Sequence, residues 1–191
     1  MLTRHFLPAL LCLAALSWHP SRCAAQEGFQ VSKSTTNVFE SGIVTNYVIL
    51  TGTSRAVFAQ PANTSVEIDG RKSTIKIVPA SLKNLIVLQF TTNSPVLPSE
   101  AHLPELGRSL ENRFADSRVS PGPVCYTGNG PGPSFDIQRG TAFNTSLTTR
   151  IAFVPFATQG IEVSLSAAST NFPSQRYAFA SFLNSLRVTP R

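Results

Sequence analysis

Apolar positions recur along the chain with two different periods. Around Asp69-Gly70 they alternate, so that Val66, Ile68, Ile75 and Ile77 share one face of a folded-back pair of strands while Glu67, Lys72, Thr74 and Lys76 share the other. Asp-Gly suits the positive φ angles of a type I′ turn, which predicts a hairpin with Ile68 opposite Arg71, Glu67 opposite Lys72 and Val66 opposite Ser73. Residues 29–32, 43–51 and 55–60 are rich in β-branched and aromatic side chains and predict three strands ahead of it. At 85–92 the run Leu-Ile-Val-Leu-Gln-Phe-Thr-Thr is nearly continuous, the pattern of a central strand covered on both faces. The period then changes. Leu103, Leu106, Leu110 and Phe114 recur at helical spacing and predict an amphipathic helix over 99–115, with Glu100, Glu105, Glu111, Arg108 and Arg113 on its wet face and Pro104 in its first turn. Strands resume at 134–139 and 149–156, after which Ile161, Val163, Leu165 and Ala167 alternate with Glu162, Ser164 and Ser166. A second helix is predicted over 174–187 on the stripe Phe179, Phe182, Leu183 and Leu186, ended by Pro190.

Residues 119–134 break both periods. Pro-Gly and Gly-Pro pairs punctuate the segment, so it cannot be regular throughout and reads as a Pro/Gly-rich loop, with 128–133 a mobile surface loop and Val124-Cys125-Tyr126 open to being a short strand. Its prolines lack the amide hydrogens a phosphate cradle needs, and no Gly-Lys-Ser/Thr follows. On either side the two halves look alike: Ser-Thr-Ile-Lys-Ile-Val-Pro at 73–79 resembles Thr-Arg-Ile-Ala-Phe-Val-Pro at 149–155, and Pro98-Ser99 and Pro173-Ser174 each precede a helix. Ancient duplication and shared physics both account for two similar ββα halves. Strands, helix, strands, helix is the order of an α+β fold, a mostly antiparallel sheet packed with two main helices.

The first residues follow another logic. Arg4 and His5 precede an apolar run at 6–18, and Cys23-Ala24-Ala25 supplies small residues before Gln26, so 1–25 reads as a secretory signal cleaved from a single domain, 26–191. The run is too short for a membrane span, which needs about 20 apolar residues. The expected product is secreted or periplasmic and not an integral membrane protein. Cleavage also changes the chemistry available. Of 3 Cys and 3 His, only Cys125 and His102 remain, the only Trp (Trp18) is lost, and the net charge of +6 falls to +4 as Arg4 and Arg22 leave.

One thiol and one imidazole exclude a His/Cys zinc site and an intrachain disulfide framework. A thiol enzyme has to pair Cys125 with His102, and no third group is identifiable, so a non-enzyme without cofactor or metal is expected. The basic residues Arg71, Lys72 and Lys76 are interrupted by Glu67 and Asp69 and lack the stacking aromatics of a nucleic-acid reader. They fit a solvated hairpin face or attraction to an anionic envelope surface. Asn63-Thr64-Ser65 and Asn144-Thr145-Ser146 match the N-glycosylation pattern.

The closing segment Phe182-Leu183-Asn184-Ser185-Leu186-Arg187-Val188 resembles the end of PsbP-like domains, the family of the extrinsic photosystem II protein and its exported bacterial relatives, which often finish in a Phe-x-x-Ile-Leu-x-Ser-Phe-Arg pattern. The resemblance covers about residues 99–188. It implies a mixed or antiparallel sheet flanked by helices and a non-catalytic accessory or binding role, and it transfers no active-site residue.

These readings converge on an exported binding or accessory domain whose partner is an unknown protein or envelope component, the chain itself being a monomer or weak dimer. The alternative is a carrier holding a small apolar ligand between sheet and helices, lined by aromatic side chains. Contact candidates are Cys125, Tyr126 and Asn129 in the Pro/Gly segment, with Arg71 and Lys72 on the hairpin.

Overall fold

The structure, a computed structural model, describes residues 30–38, 42–61, 63–78, 85–91, 100–141, 145–156 and 160–191. The expected signal at 1–25, the helix start at Ser99 and the sequon at Asn144 lie outside them. In chain order the elements are β1 (Gln30–Val38), β2 (Gly42–Leu50), β3 (Ser54–Pro61), β4 (Ser65–Asp69), β5 (Thr74–Val78), β6 (Ile86–Thr91), a 3-10 turn at Glu100–His102, α1 (Leu103–Arg113), β7 (Arg118–Pro121), β8 (Cys125–Thr127), β9 (Gly130–Gly132), β10 (Ser134–Gly140), β11 (Ser146–Phe153), β12 (Gly160–Ala168), α2 (Phe172–Ser185) and β13 (Arg187–Pro190).

Strand alternation decides how these elements are layered. Every strand pair is antiparallel. Among the described residues the strands form a four-stranded sheet, β1-β2-β3-β13, a seven-stranded sheet, β4-β5-β6-β12-β11-β10-β7, and the two-stranded hairpin β8-β9. Ile49 and Phe58 of the first sheet, Ile77, Leu88 and Leu165 of the second and Phe182 and Leu183 of α2 are buried in one cluster, so the inner faces of both sheets share a core with α2. Phe58 stacks on Tyr47 at 5.2 Å and meets Phe182 edge-on at 5.3 Å. The alternate residues of β10 and β11, Phe135, Ile137, Ile151 and Phe153, face outward and are covered by Leu106 and Leu110 of α1. The two helices therefore lie on opposite faces of the seven-stranded sheet. This is the expected α+β class. β4-β5-β6 and β12-β11-β10 flank the β6–β12 pair, but β7 has no counterpart and the two helices lie on opposite faces, so two similar ββα halves do not emerge.

Four expectations are corrected. In the β4–β5 hairpin Val66 pairs with Ile77, Glu67 with Lys76 and Ile68 with Ile75, a register four residues from the tight-turn one. The shift is even, so every side chain keeps its face, and isoleucine now meets isoleucine instead of arginine across the strands. The turn is Gly70–Ser73, the positive φ (51°) falls on Ser73, and the Lys72 amide donates to Asp69 Oδ1. Second, β6 is buried on one face only: Ile86, Leu88 and Phe90 point inward while Gln89 is exposed, because α1 does not extend over it.

The C-terminal half departs from expectation at two further places. Residues 119–134 are not loop throughout: they contain the end of β7 and the whole of β8-β9, so a strand forms at 125–127, as the alternative reading had it, and a second lies within 128–133. The predicted second helix ends at Ser185, not Arg187, and the residues up to Pro190 form β13 against β3, with Arg187 opposite Val57. Val188 is buried there.

Candidate functional site

The Pro/Gly segment folds because its glycines and one asparagine let it lie against other backbone. Gly130 takes a φ of +112°, which non-glycine residues rarely adopt, and a Cβ on Gly132 would collide with the Phe153 carbonyl oxygen. The Gly128 amide donates to Leu186 O at 2.7 Å. Asn129 behaves as a strand of one residue: its Nδ2 donates to Val188 O at 2.6 Å and its Oδ1 accepts from the Val188 amide at 2.7 Å. Ser134 Oγ donates to Pro123 O at 2.6 Å and ties the hairpin base.

This anchoring fixes which side chains face outward. In β8, Cys125 and Thr127 point in and Tyr126 points out. Tyr126 is 64% exposed and Val124 49%, and across from them Tyr177 of α2 is 86% exposed. The three border a groove of about 350 Å³ open to solvent, whose floor includes Cys125, Phe179, Ala180 and Leu183 and whose walls carry Arg150 and Arg176.

One wall of the groove carries a partly buried charge pair. Arg150 Nε and Nη2 each donate to an Asp136 carboxylate oxygen at 2.7 Å, and its guanidinium lies 5.3 Å from the Phe172 ring centre. The hydrogen bond from Arg150 to Asp136 is the main reason its pKa is raised, with burial acting the other way. The Cys125 thiol is also raised, here by burial; a hydrogen bond with Ser134 and the charge of Arg150 oppose that shift without reversing it. A nucleophilic cysteine needs the opposite shift.

The sequence-predicted residues are only partly brought together. Cys125 and Tyr126 meet at the groove. Asn129 does not offer its amide to a partner, since both ends are used on Val188. Arg71 and Lys72 are exposed on the Gly70–Ser73 turn, and Lys72 stands 3.9 Å from Asp69. Five strand spacings separate β4 from β10, about 24 Å, so the hairpin cations belong to a different part of the surface. His102 is the N-cap of α1 on the outer face of the seven-stranded sheet, whereas Cys125 belongs to the core on the inner face.

Tyr177, Arg176 and the Arg150–Asp136 pair were not singled out by sequence reasoning. Tyr177 was legible: it is an aromatic residue off the apolar stripe of its own helix, a position where burial does not explain it. The ion pair was not, because it depends on the register that sets Asp136 opposite Arg150. Among the described residues no group of three or more His, Cys, Asp or Glu is placed to hold a metal ion, and no helix is long and apolar enough to cross a membrane. No protein-family model matches the chain, and no curated protein matches it either.

Proposed function

We propose that the chain is an exported, non-enzymatic binding or accessory domain, in keeping with its PsbP-like resemblance, and that it grips a protein partner in the groove between the β8–β9 hairpin and α2. One observation carries this reading: Val124, Tyr126 and Tyr177 stand in solvent around a groove whose walls are already held by the Asn129–Val188 bonds and the Arg150–Asp136 pair. Tyrosines supply large contact area at low entropic cost, and interface hot spots are enriched in them. The α2 sequence Phe-Pro-Ser-Gln-Arg-Tyr-Ala-Phe-Ala-Ser-Phe-Leu-Asn-Ser contains no acid, so Arg176 favours a partner segment with an apolar side chain beside a carboxylate. The apolar-carrier reading has less support, because Tyr47, Phe58 and Phe182 contact one another in the layer where such a ligand would sit.

The test is a photo-crosslinking amino acid placed at position 177 in the exporting cell, with position 71 as control. A discrete adduct at 177, lost when Tyr126→Asp is added and not formed at 71, is the expected result. Equal labelling at both positions, or none at 177, overturns the proposal.

A further inference from the structure

Charge is divided unevenly between the two sheets. Every described Asp and Glu belongs to the seven-stranded sheet or to α1 and the turns flanking it, whereas β1, β2, β3 and β13 contain none. α2, β8 and β9, which pack beside the four-stranded sheet, contain none either. Arg55 of β3 and Arg187 of β13 make no ion pair among the described residues, in contrast to Arg113, Arg150 and Lys72 on the other sheet and its helix.

Strand alternation decides what the outer face of the four-stranded sheet presents. Tyr47, Ile49, Ala56, Phe58 and Val188 point into the core, so Val48, Leu50, Arg55, Val57, Arg187 and Thr189 point away from it. Pairing sets these in two adjacent rows, Leu50–Arg55–Thr189 and Val48–Val57–Arg187. Arg55 and Arg187 are therefore diagonal neighbours, about 7–8 Å apart. Each has an aliphatic side chain directly across the strands, Leu50 for Arg55 and Val57 for Arg187. Both arginines are exposed, and Val48, Leu50 and Val57 are half-buried on a face that no described element covers.

Charge and shape select the occupant. A second copy, laid face to face, sets arginine against arginine, and the α1 face it could offer instead mixes Glu105 and Glu111 with Arg108 and Arg113. A protein partner gains most from aromatic anchors seated in pockets; here Tyr47 and Phe58, the aromatics of these strands, are turned into the core, and the outward side chains beside the arginines are short aliphatics. A bilayer demands no such fit. Guanidinium groups take phosphate oxygens two at a time, aliphatic side chains beside them enter the boundary between headgroup and acyl chain, and an acid-free face is drawn toward an anionic surface. We propose that the outer face of the four-stranded sheet docks on an anionic phospholipid bilayer, independently of the groove between the β8–β9 hairpin and α2.

The test is co-sedimentation of the full exported protein with phosphatidylcholine vesicles, prepared with and without phosphatidylglycerol. Soluble polyglutamate forms a separate arm. Expected is binding that requires phosphatidylglycerol, declines with added salt and weakens about fivefold with Arg55→Gln and again with Arg187→Gln. Arg71→Gln, on the Gly70–Ser73 turn of the other sheet, removes the same charge and should leave binding unchanged. Arg55 and Arg187 are exposed, so their variants keep the fold, which circular dichroism verifies. Equal binding to both kinds of vesicle, binding to neither, as much weakening by Arg71→Gln as by Arg55→Gln, or capture of polyglutamate by this face without capture of vesicles overturns the proposal.

Discussion

Asn129 does with one side chain what a neighbouring strand would do with its backbone. The amide donates to and accepts from Val188, closing the outer edge of β13. Composition pointed to Asn129 as a contact residue because Asn, Gly and Pro mark surface turns, but composition carries no information on where an amide is aimed. Replacing Asn129 with Ala leaves both Val188 groups unpaired and should lower stability by about 1–2 kcal/mol. Asn129→Asp should do no better, since a carboxylate oxygen would then face the Val188 carbonyl; urea denaturation measures both. Cys125 gives a pH dependence at the same scale. Burial holds its pKa above the ordinary 9.0, so over that interval the unfolded chain has released a proton that the folded chain keeps. The unfolded state then binds fewer protons, and stability falls as pH rises. Tyr47, raised by burial from 10.0, adds a loss of the same sign at higher pH. Urea midpoints should therefore decline above about pH 9, and Cys125→Ala should remove the first part of that decline.

Elements were legible in the sequence where one face is buried and the period is unbroken. β2, β3, β12 and α1 fall where alternation or helical spacing put them, and the stripe of α2 is buried as expected. The misses have a common cause, which is backbone pairing between distant segments. β13 looks like the tail of a helix because Leu186 continues the stripe of α2, yet its partner β3 lies far back in the chain. The hairpin β8-β9 looks like a loop because its glycines and prolines are there for close approach, and close approach needs a second segment that local sequence does not name. Gly132→Ala should accordingly be costly, about 1–3 kcal/mol or more from overpacking against Phe153 O, whereas Gly140→Ala meets nothing within 4 Å and should change little. Thermal melts of the two variants make the comparison. Deleting 187–191 provides a stronger test of the strand assignment. It removes buried Val188 and the partner of Asn129 together, so loss of the cooperative melt is expected, where removal of a frayed helix end would leave it intact.

At the scale of the molecule, side-chain period shows which residues face a core but not how many sheets surround it. One antiparallel sheet and two sheets sharing a core have the same alternation, and only the pairing of β3 with β13 separates them. The arrangement dictates how the chain unfolds. Ile49 and Phe58 from the four-stranded sheet touch the same cluster as Leu88 and Leu165 from the seven-stranded one, with Phe182 between the layers, so neither sheet can open without exposing the apolar face of the other. Unfolding should be one transition. With Trp18 removed alongside the proposed leader, tyrosine is the natural probe, and its 3 copies divide usefully: Tyr47 is buried, Tyr126 and Tyr177 are exposed. In a Tyr126→Phe, Tyr177→Phe double variant the remaining tyrosine signal reports the packing of the four-stranded sheet alone, while far-ultraviolet circular dichroism reports every strand and helix. The two curves should coincide in urea. If the tyrosine signal were lost first, the four-stranded sheet would be a separately folding unit and the shared core would not govern stability.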